Sequence, residues 1–132
     1  MLTLDLARQL HAAGVVWTPA PGDRFVVPDR DMDDEIFVVS DMTVEVHDFP
    51  TGKVIGFNGT TEWALDSLAH GDVVWLPRED QLRDLLGEEF ARLETVPGGF
   101  AVVTTSRDRE RRHLDIDAER AYARAVLGVR EP

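Results

Sequence analysis

The sequence predicts an α+β fold, a single domain over residues 1–132 in which a curved antiparallel sheet carries about four helices. Three observations predict it. Short apolar runs rich in Val, Ile and Phe are separated by turn pairs such as Pro21-Gly22, Asn58-Gly59 and Gly98-Gly99. Segments near both ends, and one after Pro77, carry apolar residues at helical spacing. Apolar residues make up 43% of 132, enough for one core, and no repeat or low-complexity linker divides them.

The elements follow in chain order. Thr3 is placed to cap a first helix with Leu6, Leu10 and Ala13 on one face, Leu2 stapling back onto it and Gly14 stopping it. Pro19 to Asp23 is a turn. Phe25-Val26-Val27 and Ile36 to Val39 read as strands flanking an acidic connection. Met42, Val44 and Val46 alternate with Thr43, Glu45 and His47, the period of a half-buried strand. Pro50 to Lys53 turns the chain into Val54 to Phe57, completing a meander. A short helix is expected around Trp63, Leu65 and Leu68, then a strand at Val73 to Leu76. Leu82, Leu85, Leu86 and Phe90 form the stripe of the next helix. Arg92 to Val96 and Phe100 to Thr104 form a hairpin about Pro97-Gly98-Gly99. Ser106 to Arg112 reads as a charged connection, a solvated loop whose arginines are neutralised by Asp108 and Glu110, before a short strand at His113 to Ile116. Asp117 caps the last helix, with Ala118, Tyr122, Ala125, Val126 and Val129 on one face.

Charge narrows the function classes. Twenty-five acidic residues against 14 basic ones give a net charge of −11, which repels phosphates and anionic lipid, so neither nucleic acid nor membrane is an expected partner. Without cysteine, a disulfide framework, a thiolate metal site and a cysteine nucleophile are excluded. The chain opens without a basic region before an apolar run, and no stretch approaches the roughly 18 apolar residues of a membrane span. A cytoplasmic protein is expected. The acidity is local: Asp29 to Asp48 holds eight carboxylates and one cation, Arg30, a net −7 of the −11.

Within that window Asp29, Asp31, Asp33 and Asp34 are candidate binding residues. Their spacing opens like a calcium loop, where alternating carboxylates converge on one hard cation. The pattern then breaks, with Asp34 where the turn glycine belongs and Ser40 where the closing glutamate belongs. The plainer reading is a solvated hairpin tip whose charges protect a sheet edge. Glu45 and His47 sit two residues apart on one strand face, roughly 7 Å between Cα atoms, close enough to share a proton or a metal. A catalytic metal needs three protein ligands, and His11, His70 and His113 have no spacing that joins them. No metal, cofactor or catalytic residue is therefore assigned. Thr51-Gly52-Lys53 has His47 and Val54 where a phosphate-binding loop needs Gly and Ser or Thr.

Gly56 to Trp63 offers a second candidate. Its glycines allow close backbone approach, while Asn58 and Thr60 bring an amide and a hydroxyl to a helix start, with Trp63 and Trp75 as aromatic walls for a small molecule or peptide. The same residues also make an ordinary turn, an N-cap and core anchors.

The segments Trp17-Thr-Pro, Arg24 to Asp34, Gly56 to Asp66 and Trp75 to Leu82 resemble, over most of the chain, a family of small uncharacterised actinobacterial proteins. That family is commonly labelled pilus assembly protein of the CpaE type. The resemblance implies a nucleotide-binding ATPase of the deviant P-loop kind. This sequence has no P-loop, so no residue role is carried over.

The expected function is a non-catalytic interaction domain whose acidic edge at 29–48 meets a basic surface, on a protein partner or in a homo-oligomer. Two other classes stand beside it: a metal-assisted hydrolase built on Glu45 and His47, and an acidic immunity or inhibitor protein.

Overall fold

The computed structural model describes residues 1–26, 36–39, 46–49, 52–55 and 73–130, with backbone alone at 46–49 and 52–55. Contacts along the chain separate two units, Met1–Val15 with Pro77–Pro132, and Val16–Leu76.

In the first unit Thr3 caps α1 (Leu4–Ala12), its side-chain oxygen accepting from the Leu6 amide at 3.2 Å. Leu6, Ala7 and Leu10 are buried along one stripe, and Leu2 is buried ahead of the cap. In the same unit α2 (Glu79–Leu86) buries Leu82 and Leu86. The helical stripe expected to run on to Phe90 is cut short. Gly87 takes φ +56° and ψ −129°, a conformation that ends the helix and suits a residue without Cβ. A 3-10 turn, Gly87–Glu89, then leads Phe90 into a strand.

The hairpin forms as expected: β6 (Phe90–Val96) pairs antiparallel with β7 (Gly99–Ser106). The expected charged loop does not. Arg107 and Asp108 both adopt positive φ, 53° and 64°, a two-residue turn whose twist matches the flanking strands. β8 (Arg109–Asp115) therefore begins at once and pairs along β7. The register aligns Arg92, Val103 and Arg112 on one face. There Arg92 pairs with Glu94 and, at 3.1 Å, with Glu110, while Arg112 reaches Glu94 at 2.9 Å. Hydrogen bonds from Arg92 hold the Glu94 and Glu110 carboxyls below their usual range. Of the charges that suggested a solvated loop, Glu110 and Arg112 are cross-strand partners of Arg92 and Glu94.

The opposite face aligns Leu93, Val102 and His113, and α3 (Ala118–Arg130) packs against β7 and β8. Asp117 caps α3 by accepting from the Arg120 amide at 3.0 Å. Of the predicted stripe, Tyr122, Ala125 and Val126 are buried and Ala118 and Val129 half-buried, with Ala121 buried beside them, and α3 also packs on α1 and α2. Asp115, 8% exposed, anchors the start of α3 through Arg120 at 3.0 Å and Arg124 at 2.8 Å. Burial pushes its carboxyl upward, but Arg124, the Asp117 amide and Arg120 outweigh that and leave it lowered.

In the second unit β1 (Arg24–Val26) lies between β2 (Phe37–Val38) and β5 (Val74–Leu76), antiparallel to both. Phe25 is opposite Phe37 on one side and Trp75 on the other. Its ring centroid is 5.5 Å from Phe37 and 5.7 Å from Trp17, which in turn stacks on Trp75 at 6.2 Å and 9°. Asp23 is 2% exposed and accepts the Trp17 indole N–H at 2.8 Å and the Ala20 amide at 2.9 Å, which closes the predicted turn. β3 (Val46–Phe49) and β4 (Gly52–Ile55) form a two-stranded hairpin.

The α+β class holds, with three helices among the described residues. A single curved sheet does not. The described strands form separate antiparallel sheets, β2-β1-β5, β3-β4 and β6-β7-β8. β1 has both edges occupied, and Pro77, which has no amide hydrogen, stands directly after β5 before the chain turns into α2. The helix expected around Trp63 to Leu68 lies outside the described residues.

Candidate functional site

Asp29, Asp31, Asp33, Asp34, Glu45, Asn58, Thr60 and Trp63 lie outside the described residues. His47 falls in β3, opposite Val54 of β4. Trp75, expected as a pocket wall, stacks on Trp17, and its buried indole N–H meets no acceptor among the described residues.

The described residues assemble a different site, between α2 and α3. Arg78 precedes α2, and the Gln81 side-chain oxygen accepts from the Arg78 amide at 2.9 Å, fixing the first turn. That turn brings Glu79 and Asp80 to the surface, where carboxylates complement the helix dipole. Arg83 and Asp84 follow one turn later. Together with Tyr122 of α3 they line a groove of about 540 Å³.

The groove has one buried polar member. Tyr122 is 2% exposed, with its ring stacked 5.7 Å from Phe90, and the Arg83 guanidinium lies over the Phe90 ring, 4.4 Å from its centroid. Burial raises the phenol's pKa, Glu79 raises it further, and Arg83 opposes. No hydrogen bond to the Tyr122 hydroxyl occurs among the described residues. Asp80 is already engaged by Arg78 at 3.1 Å, a hydrogen bond that lowers its carboxyl pKa. Glu79 and Asp84 are exposed and enter no ion pair among the described residues. The groove thus holds three carboxylates and one guanidinium, with two of the carboxylates uncommitted. Sequence reasoning missed it because Tyr122 reads as one more apolar position of α3. The available signal was that the chain's single tyrosine occupies a core stripe.

A second polar cluster is closed. Thr104 Oγ1 and His113 Nε2 are 3.0 Å apart on the α3-facing side of the sheet, 2% and 9% exposed. Burial, then the nearby Arg111, lowers the imidazole pKa. Gly128 covers the ring so closely that a Cβ there would stand 2.6 Å from His113 Cε1. Arg111 donates to the Gly128 carbonyl at 3.0 Å, tying β8 to α3. This hydroxyl and imidazole join β7 to β8 beneath Gly128 of α3.

Among the described residues no three His, Asp or Glu side chains converge on a metal position, and no helix is long and apolar enough to cross a membrane. No protein family, curated protein or solved structure matches the chain. The site must be read from its own chemistry.

Proposed function

We propose that this chain is a non-catalytic interaction domain that recognises a basic protein surface. The observation that carries the reading is the segregation of charge. In the helix-and-sheet unit Arg78, Arg92, Arg112, Arg120 and Arg124 are paired with carboxylates, and Arg111 and Arg130 bond backbone carbonyls. The window Asp29 to Asp48 holds eight carboxylates and, within the same stretch of sequence, one cation, Arg30. Locally unbalanced charge of one sign steers a partner of the other and selects against like-charged ones. The groove between α2 and α3 adds uncommitted carboxylates of the same sign.

The test is capture of partners from a lysate by the full chain and by a variant with Asp29, Asp31, Asp33 and Asp34 changed to Asn. A basic partner should associate several-fold more slowly with the variant, and more slowly with the unchanged chain as salt is raised from ~0.05 to ~0.5 M and the Debye length shrinks from ~14 Å to ~4 Å. A partner that binds both proteins equally at both salt concentrations rules the reading out.

A further inference from the structure

The turn between β7 and β8 holds two arginines that the fold does not use. Glu110, the carboxylate expected to neutralise them, reaches Arg92 instead at 3.1 Å. Arg107 and Arg109 are exposed, their guanidinium groups enter no ion pair or hydrogen bond among the described residues, and Asp108 between them pairs with neither. Arg111, two residues on from Arg109 and on the same side of β8, donates to the Gly128 carbonyl, and Arg130 donates to the Ala13 carbonyl. Those two are explained by the helix ends whose last carbonyls they satisfy. Arg107 and Arg109 are not. Nor is the turn explained by its own geometry. Its two residues hold φ of 53° and 64°, where Asn-Gly would sit with least strain. Side chains kept at such positions against their backbone preference are a mark of binding positions. β8 is an edge among the described strands, and charge there discourages stray pairing, but charge of either sign does so and none of it requires arginine at the strained corner.

We infer that this turn, through Arg107 and Arg109, docks on the acidic window Asp29 to Asp48 of a second copy of the chain. The inference rests on the proposed recognition of a basic surface and names that surface. Charge complementarity carries it. The window has a surplus of seven negative charges within its own stretch of sequence, and the turn presents guanidinium groups that no carboxylate of the described fold occupies. Nucleic acid and anionic lipid, the other common partners of exposed arginine, are repelled by the net charge of −11. A second copy supplies carboxylates and turn together. Made reciprocally about a two-fold axis, the contact occurs twice and closes a dimer.

Sedimentation velocity of the full chain between ~10 and ~500 µM, the range of weak reversible contacts, tests this. Self-association should rise with concentration at ~0.05 M salt and fall about tenfold or more at ~0.5 M, where exposed ion pairs are screened. Arg107→Asn and Arg109→Gln should each weaken it several-fold and together about tenfold, the scale of a few exposed ion pairs made twice. Neither change touches the core, and Asn suits a positive φ. Arg8→Gln removes the same charge from an exposed position of α1 and should leave association unchanged. The variant with Asp29, Asp31, Asp33 and Asp34 changed to Asn should fail to self-associate, yet should associate when mixed with the double arginine variant, because one intact turn then meets one intact window. A chain that stays monomeric throughout, equal association by the double arginine variant, or an equal loss in Arg8→Gln would each overturn the inference. Equal association by the window variant would overturn it as well. Capture of a basic partner decides the acidic-edge reading separately: if capture remains dependent on the window and on salt while self-association fails, the second copy alone is wrong. If self-association follows the turn but neither it nor capture responds to the window, both readings fall.

Discussion

Replacing Gly128 with alanine should destabilise the protein, although the same change in an exposed helix stabilises. A Cβ built on Gly128 lies 2.6 Å from His113 Cε1, 3.2 Å from Nδ1 and 3.5 Å from an Arg111 guanidinium nitrogen. Ordinary carbon contacts begin at about 3.5 Å, so the imidazole must retreat by roughly 1 Å. It has little room to do so, being 9% exposed and held to Thr104 at 3.0 Å. Overpacking of this kind costs about 1–3 kcal/mol. Loss of the Thr104 contact adds about 0.5–1.5 kcal/mol. Against this, alanine gains at most ~1 kcal/mol of helix propensity, and less in a last turn. The net expectation is a loss of about 1–3 kcal/mol. With His113→Ala already in place the obstruction is gone, and adding Gly128→Ala should stabilise by about 0.5–1 kcal/mol. Urea unfolding of the four proteins, compared by midpoint at constant slope, measures the cycle. The reasoning fails if Gly128→Ala stabilises the otherwise unchanged chain, or if the two changes add within ~0.5 kcal/mol.

Further expectations concern pH, the start of α3 and a turn. Because the folded imidazole of His113 titrates below its ordinary 6.5, the unfolded chain takes up a proton first. Stability should therefore fall as pH drops from 6.5 toward the folded value, and His113→Gln should flatten that part of a urea-midpoint profile while leaving the acid limb near pH 4. Persistence of the full slope in the variant would exclude His113 as its source. Asp115→Ala strips Arg120, Arg124 and the Asp117 amide of one acceptor and should cost about 1–3 kcal/mol, read as a lowered thermal midpoint, whereas Arg124→Ala, half exposed, should cost under ~1 kcal/mol. Arg107→Asn with Asp108→Gly suits two positive φ angles far better and should raise stability by about 1 kcal/mol, a lowered midpoint being the contrary result.

Local signals were legible where local chemistry decides. The Thr3 cap, the Pro97-Gly98 turn and the Asp117 cap each depend on a few neighbouring residues, and each stands where the sequence places it. Phe90 was misread because a periodic stripe cannot register that Gly87 breaks the helix ahead of it. The run from Arg107 to Arg112 was misread because its compensating charges, Glu94 and the Arg92 that binds Glu110, come from another strand, information absent from the run itself. The groove escaped notice for a related reason: α2 and Tyr122 meet only through tertiary packing, and a hydroxyl on an apolar stripe looks like a ring. The acidic candidates from Asp29 to Asp34 and the Asn58 to Trp63 segment fall outside the described residues, and there the sequence remains the guide.

The helix-and-sheet unit draws on both ends of the chain, with Val16–Leu76 running between its two parts. That arrangement sets an order of assembly. α1 emerges from the ribosome well before α3, the helix that packs on its buried residues Leu6, Ala7 and Leu10 and that begins more than a hundred residues later at Ala118. At roughly 5–20 residues per second, α1 waits at least several seconds for its packing partner. The β6-β7-β8 hairpins, joined by two-residue turns, can pair without it, and closure of the N-terminal helix onto α3 becomes the late, long-range step that contact order makes slow.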